Sequence, residues 1–558
     1  MISTDTRNAR LATLTGRVLT GAAFVATATA TLVPIWRGEG WPLGHDGTSF
    51  AQRTLVYARH MATFDLLPVW SSSDAAGFGS PMPLMYHKLF YLVAAPLSMI
   101  LPTTKAADIV TVIAALVVGA AGMYRLVRAL SASRLAATAA GCSLIVANYT
   151  VTNWLVRGAL AELTAAMLVP WLLHGFVVAI ARGRLSTGVG VWLALLWLSH
   201  SVLAFFAGLL LAFTYLLLAV SRRAPWSTID PRTAWKPVLA FALITLPYVV
   251  AMALVGSRYD LGRFHSWPLS PRYQFRALQD YFWDTHWHFG RTMAGLTYQI
   301  DLAMIALLFA GLLCLAIVIR SAHTADQTRQ ASMRAVATDI APLLILVLAC
   351  VLLQRGSMQW FYDYVPGAVF IQFPWRLLAL LTPALIAAAF VSADRTLPHD
   401  LRLLAISASA AWMIAGSGAF VAVVDPWVPI DPVKLAGNFS GFREYEPIDA
   451  PPLADLQSRI AARWQAEGCS VIRQTPGEEV VVDRFNVECA RAGVLPLPVY
   501  ASRFHDVEVS TFARSQPCLA VPDIPAVCGA TLPAGISVVS VHMPTLARVL
   551  ARAMGDGR

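Results

Sequence analysis

"RNARLATLTGRVLTGAAFVATATATLVPIWRGEGWPLGHDG", Arg7 to Gly47, decides the class of this chain. Arg7, Arg10 and Arg17 precede an apolar run near residues 18–35. That run is long enough to cross a bilayer as a helix. It has no clear small-residue cleavage site, so it is expected to stay in the protein as a span. Directly after it comes Gly44-His45-Asp46. Ionisable groups at a membrane are costly to hold there and read as functional unless something else explains them.

Composition extends this reading to the whole chain. Hydrophobic residues make up 57% of the 558 and charged residues only 13%, with a mean hydropathy of +0.60. Soluble domains carry about 25% charged residues. A polytopic membrane protein follows. The net charge of +10 would suit a nucleic-acid partner, but the basic residues sit in short loops between apolar runs, which excludes one. The partner of this surface is the lipid bilayer.

The loops also set the topology, because basic residues concentrate on the cytoplasmic side. Arg125, Arg128 and Arg134 form one basic loop, and Arg182 with Arg184 another. Further along come Arg222, Arg223, Arg232 and Lys236, then Arg320, Arg329 and Arg334, then Arg395 and Arg402. We expect about eleven transmembrane helices, near 18–35, 106–124, 135–151, 162–181, 185–200, 203–221, 237–255, 301–319, 337–353, 376–392 and 402–424. The short, Pro-flanked run 85–101 reads as a re-entrant or interfacial helix. The parity puts the N-terminus in the cytoplasm and residues 425–558 outside. Loops 36–105, 150–162, 256–300 and 354–375 then face outward and hold most of the Trp, Tyr, His and Asp residues found outside the spans. Arg258 to Arg291 reads mostly as an interfacial aromatic belt, which accounts less well for Arg263, His265 and Arg276.

Cysteine usage agrees. Cys142, Cys314 and Cys350 lie in apolar runs, whereas Cys469, Cys489, Cys518 and Cys528 lie in the tail. An even set in a small soluble segment suggests disulfides and an oxidising compartment. Nearest neighbours, Cys469 with Cys489 and Cys518 with Cys528, are the first choice of pairing, although sequence does not fix it. Asp455 to Glu467 has an amphipathic helical pattern, and "EEVVVDRFNVEC", "VYASRFHDVEVSTF" and "ISVVSVHMP" alternate like strands. The expected architecture is therefore an all-α polytopic membrane region, 1–424, followed by a small extracytoplasmic β-rich domain, 425–558.

Chemistry concentrates in the first outward loop. Ser49 and Gln52 fit a capping box, predicting a helix from about 49 to 62 with Asp46 just ahead of it. Helix capping is the plainer role for Asp46, but Thr48 and Ser49 can cap in its place. The functional role is a general base, or a metal ligand, at the outer face. Arg53, Arg59, His60, His87 and Lys88 follow and could bind an anion such as phosphate. Arg157 and Glu162 open a span after another outward loop, and their spacing of five puts them on different helix faces. Each should therefore find its own partner. Pro374 and Trp375 read as span-start and belt residues, Arg376 as an outward cation, and His200 as the tip of a tight outer hairpin.

These residues resemble a known group. Gly44-His45-Asp46 with "LPVW", "GFGSPMP" and "FY…PL", the Arg-Gly-x-x-x-Glu stretch from Val156 to Leu173, and "FIQFPWRLLALLTP" from Phe370 to Pro383 resemble bacterial polytopic glycosyltransferases of the GT-C superfamily. The nearest group carries the label "6-pyruvoyl-tetrahydropterin synthase-related", which describes no plausible chemistry here. The resemblance covers the membrane region and the β tail. It departs after Gly79, where Ser-Pro-Met-Pro stands in place of the Tyr-Pro and aromatic pair of many relatives.

The resemblance implies a GT-C-like fold and a multi-pass enzyme of the bacterial inner membrane with a periplasmic C-terminal domain. Such an enzyme moves a sugar, usually with inversion, from a polyprenyl-phosphate donor to a glycan or lipid acceptor of the cell envelope. Asp46 takes the position of the acidic base. Arg53, His60, Lys88, Arg157 and Arg376 become candidates for the donor phosphate. His45, Glu162, His200, Arg263 and His265 are left for the acceptor or supporting roles. The sequence fixes no cofactor, and Asp46 with ligands from distant loops leaves room for a divalent cation, Mg or Mn. The alternatives are a flippase or transporter of lipid-linked glycans and a non-catalytic assembly partner. A transporter predicts repeats and polar mid-membrane helices, and the sequence shows no internal repeat.

Overall fold

The structure is a computed structural model that describes residues 4–37, 40–42, 46, 49–221, 229–259, 266–282, 298–321, 327–421, 427–428, 446–473, 482–512 and 515–554. The site candidates His45, Arg263 and His265 lie outside the described residues.

Among the described residues nine helices are long and apolar enough to cross a membrane. They are Leu14–Val33, Thr104–Ala129, Arg134–Arg157, Leu160–Arg182, Ser201–Val220, Pro231–Gly256, Leu302–Arg320, Gln330–Leu353 and Pro374–Thr396. Each falls on a span expected from the sequence. The remaining two expectations correspond to Thr187–Ser199, an apolar helix of 13 residues, and His399–Val421, a helix of 23. At 1.5 Å per residue the first covers only about 20 Å of a hydrocarbon core about 30 Å thick. The run 85–101 contains the ten-residue helix Leu89–Ser98, too short to cross. The chain is a multi-pass membrane protein.

By compactness the chain divides into two units, and not at 424/425. One unit is Met1–Thr48, Ile109–Ile244 and Phe264–Pro429; the other is Ser49–Asp108, Thr245–Arg263 and Ile430–Arg558. The first outward loop from Ser49 onward, and the segment Thr245–Arg263, therefore belong with the tail.

In the first unit, Leu378–Thr396 is the central helix, and every residue from Leu378 to Asp394 is buried. It packs against Leu302–Ser321, Gln327–Leu353, Arg134–Val146 and Leu160–Arg182. Without a hydrophobic drive between helices in lipid, close packing depends on small residues. Ala384, Ala387, Ala388, Ala389 and Ala393 supply them on one side. Gly311 supplies them on the other, where a Cβ would come 2.5 Å from Ser392 Oγ.

One helix of this unit is interrupted. Asn148–Thr152 widens into a π-type turn, Asn153–Arg157, that ends at Gly158 with φ 68°, in the left-handed region. Leu160–Arg182 then starts afresh. The wider turn and the glycine rotate Arg157 away from the register a continuous helix would impose.

The second unit is built on antiparallel sheets. A five-stranded sheet runs in the order Cys469–Arg473, Val482–Cys489, Gly535–His542, Asp506–Val509, Gln516–Pro517. A three-stranded sheet runs Gly493–Tyr500, Val527–Leu532, Leu519–Ala520. Period-two burial is clearest in Val482–Cys489, where Phe485, Val487 and Cys489 point inward and Arg484, Asn486 and Glu488 outward. The expected amphipathic helix is Leu453–Ala466, burying Leu456 and Ile460. The disulfides are Cys469–Cys489 and Cys518–Cys528. The reason the first outward loop joins this unit is its apolar side chains. Trp70, Ala75 and Phe78 share one core with Phe485, Tyr500, Val507 and Val541. The Tyr500 N–H donates to Phe78 O at 2.8 Å, and Pro68 bridges to Thr545.

Candidate functional site: a buried arginine–glutamate–arginine cluster

The π-type turn decides the geometry of the site. It brings Arg157 onto Glu162, with Arg157 Nη1 2.6 Å from Oε1 and Nη2 2.8 Å from Oε2. This corrects the sequence reading, in which a spacing of five sent the two residues to different partners. That reading assumed a regular helix through 157–162, and the chain breaks helix there at Gly158.

Glu162 serves a second arginine as well. Arg376 Nε lies 3.1 Å from Glu162 Oε2, an ion pair without the alignment of a hydrogen bond. Arg376 Nη1 donates to Gln372 Oε1 at 2.7 Å and to Ile371 O at 3.0 Å. The Tyr149 hydroxyl donates to Glu162 Oε1, and Arg157 Nη1 also donates to Asn153 Oδ1. His200, between Thr187–Ser199 and Ser201–Val220, caps the latter helix, its Nδ1 accepting the Leu203 N–H at 3.3 Å. An accepting Nδ1 carries no proton, so the ring is neutral with its proton on Nε2. That nitrogen is 3.8 Å from Glu162 Oε2.

Aromatic rings hold the guanidinium groups flat. Arg157 lies over Trp375 at 4.6 Å and Arg376 over Phe373 at 4.8 Å. Trp375 is therefore not a membrane-belt residue as the sequence suggested. It is 2% exposed, because its face is the floor under Arg157. Glu162 is 3% exposed and Arg157 7% by side chain, whereas Arg376 is 14% exposed and forms the open edge of the cluster.

Asp46 adjoins this cluster. Its N–H donates to Arg157 O at 2.9 Å, and its charge acts on the Arg157 guanidinium. Trp41, just upstream, donates from Nε1 to Trp154 O at 3.3 Å, and strand Trp41–Pro42 pairs with Trp427–Val428. The Asp46 carboxylate is half-buried and takes no hydrogen bond from any described residue. The capping box is also not formed as expected. Ser49 Oγ has no partner among the described residues, and Gln52 Nε2 donates to Asp74 Oδ1 at 3.4 Å.

The other phosphate candidates belong to the second unit. Arg53 lies over the Tyr86 ring at 3.8 Å and is buried. His60 Nδ1 pairs with Asp65 Oδ2 at 2.9 Å. Lys88 Nζ donates to Leu84 O and Tyr86 O, at 3.3 and 3.2 Å. Each of these groups is buried and bonded within its own unit.

Tyr149, Asn153 and Gln372 were not anticipated from the sequence. A signal existed for the first two: "ANYTVTN", residues 147–153, is polar where an expected span should be apolar. Among the described residues no group of three His, Cys, Asp or Glu side chains could hold a metal ion. Both oxygens of Glu162 are taken by guanidinium groups. The described residues thus do not fit a divalent ion at this site.

The net charge gives the cluster its chemical character. Two guanidinium groups share one carboxylate, so one positive charge is left over before Asp46 is counted. Such a site attracts a second anion, either a carboxylate or a phosphate.

No family model and no curated protein matches the sequence. Solved structures do resemble it in backbone. Arabinofuranosyltransferase AftD from Mycobacteria aligns with a TM-score of 0.49 and 14% identity, over 95% of this chain and 40% of that one. The Archaeoglobus fulgidus oligosaccharyltransferase, in its apo form, aligns with a TM-score of 0.40 and 15% identity, over 83% and 58%. The AglB oligosaccharyltransferase of the same organism, in complex with an inhibitory peptide and a dolichol-phosphate, aligns at 0.42 and 11%, over 79% and 59%. The chain spans less than two thirds of the length of each. Identities this low leave the activity of this chain to be argued from its own residues.

Proposed function

We propose that this chain is a membrane glycosyltransferase. It moves a sugar from a polyprenyl-phosphate donor to a glycan or lipid acceptor of the cell envelope, at the outer face of a bacterial inner membrane. The observation that carries this reading is Asp46 beside the Arg157–Glu162–Arg376 cluster. Transfer from a lipid phosphate needs a base at the acceptor hydroxyl and positive charge at the departing phosphate.

Asp46 supplies the base. Its carboxylate is half-buried and takes no hydrogen bond from a described residue, so it is open to an acceptor hydroxyl. Arg376, at the exposed edge, meets the leaving phosphate and stabilises the charge that develops on it. Arg157 is a positioning residue, locked by Glu162, Asn153 and Trp375. Glu162 fixes both guanidinium groups and so keeps their orientation before substrate arrives. Asp46, Arg157, His200 and Arg376 come from segments that the charge parity places on a single membrane face, which suits surface chemistry better than a mid-membrane transport path.

The test is genetic and chemical together. Mass spectrometry of envelope glycans in a deletion strain should show a truncated or missing glycan. The parent gene should restore it and Asp46→Asn should not, although the variant inserts at the parent level. A deletion strain with unchanged envelope glycans would overturn the reading.

A further inference from the structure

A second charged cavity lies in the membrane unit, away from the arginine–glutamate cluster. It measures about 440 Å³ and is lined by Arg17, Tyr124, Arg125, Arg128, Arg134 and His174. His174 is twelve residues along Leu160–Arg182 from Glu162, ~18 Å at 1.5 Å per residue. The other walls agree on the direction. Arg125 and Arg128 close the helix Thr104–Ala129, and Arg134 opens the helix that leads back to Arg157. The cavity therefore lies toward the opposite ends of the helices that carry the cluster.

We infer that this cavity binds the headgroup of an anionic phospholipid in the opposite leaflet. Charge comes first. Four exposed arginines line one space, and none forms an ion pair with a described carboxylate. Such an uncompensated set calls for an anion with several acceptor oxygens, and guanidinium–phosphate pairing is the strong form of that contact. Preorganisation comes second. Arg125 lies over Trp171 at 5.2 Å. Trp171 is itself stacked on Trp192 at 4.6 Å and donates from Nε1 to Val118 O at 2.8 Å. Arg128 donates to Ala132 O. Two of the four cations are thus held in place without an anion. Arg17 and Arg134 make no side-chain hydrogen bond to a described residue, and Gly16 gives Arg134 room, since a Cβ there would stand 3.2 Å from its Nη1.

The lipid source is argued from the walls. All four are helices able to cross a membrane. Beside Arg17 the side chains of Leu14 and Val18 are 58% and 62% exposed, and beside Arg134 that of Leu135 is 44% exposed. A phosphate held by the arginines would place its acyl chains along these apolar surfaces. Basic pockets between spans are a known physical solution for anionic headgroups.

Native mass spectrometry of the purified full chain, titrated with phosphatidylglycerol, phosphatidylcholine or inorganic phosphate, tests this. Phosphatidylglycerol should bind at least tenfold more tightly than phosphatidylcholine. Arg17→Gln with Arg134→Gln should weaken phosphatidylglycerol about thirtyfold, from the usual contribution of two basic groups near an anionic lipid. Arg232→Gln with Arg334→Gln, exposed arginines outside the cavity, should change nothing. An equal loss in that control, or no loss in the first pair, overturns the proposal. Inorganic phosphate binding as tightly as the lipid would assign the cavity to a free anion and overturn it as well. Should the Gln pair fail to purify, Arg17→Lys with Arg134→Lys keeps the charge and should retain the preference. Its loss there would count against a charge-read headgroup.

Discussion

Arg157 and Glu162 form a two-pronged ion pair, with both guanidinium Nη atoms within 2.8 Å of a carboxylate oxygen, although they are five residues apart. A regular helix would not allow it. The pair exists because a π-type turn and a left-handed glycine replace helix between the two residues. Glu162 also neutralises part of Arg376, so this one carboxylate anchors the site.

Glu162→Gln should therefore be among the most damaging single changes in the chain. Removing one partner of a buried ion pair leaves a charge uncompensated and costs about 3–5 kcal/mol. Thermal unfolding of the purified protein in detergent should show a large drop in Tm. A variant that melts with the parent would mean that the pair contributes little to the fold.

Gly158→Ala tests the turn itself. A non-glycine residue in the left-handed region costs roughly 1–2 kcal/mol. The expected result is a modest loss of Tm together with a loss of transfer activity out of proportion to it, because the Arg157 register shifts. Activity that falls only as far as stability does would count against a positioning role.

Asp46→Asn separates catalysis from capping. Loss of a general base typically costs ~10²–10⁴ in rate with stability kept. Loss of a helix cap costs ~1 kcal/mol with rate kept. Transfer assays and thermal melts on the same preparation decide between them, and a near-parental rate would remove Asp46 from the mechanism.

The C-terminal unit should be acid-labile through His505. Burial, with Arg548 and Arg552 adding to it, pulls this imidazole from 6.5 down to about 3. The ring packs edge-on to Trp70 at 4.7 Å, and neither nitrogen has a hydrogen-bond partner among the described residues. Between these pH values the unfolded chain binds the extra proton, so stability is full above about 6.5 and is lost as pH falls toward 3. His505→Phe should flatten the pH dependence of Tm in that window. An unchanged slope would place the acid sensitivity elsewhere.

Thiol counting checks the disulfides. Denatured, unreduced protein should label at Cys142, Cys314 and Cys350 only, and reduction should raise the count to all seven cysteines. Replacing Cys469 and Cys489 together by Ser should cost ~2–4 kcal/mol of the C-terminal unit's stability. Labelling of any tail cysteine before reduction would contradict the pairing.

The sequence by itself determined the class of the protein and the placement of its spans. Long apolar runs and basic loops are local, additive signals, and bilayer thickness converts them directly into helix positions. The same holds for period-two strands such as Val482–Cys489 and for the four tail cysteines. Tertiary structure alone decided the rest. The pairing of Arg157 with Glu162 depends on a departure from helix that no periodicity reports. Arg376 and His200 reach the same carboxylate, and Trp375 the guanidinium paired with it, from segments far away in sequence. The union of Ser49–Asp108 with the C-terminal residues has a similar origin. Trp70 and Phe78 read as loop aromatics until a sheet 400 residues later buries them. Local patterns fix what each segment is, while the partners of a buried charge or ring are set only when distant segments close around it.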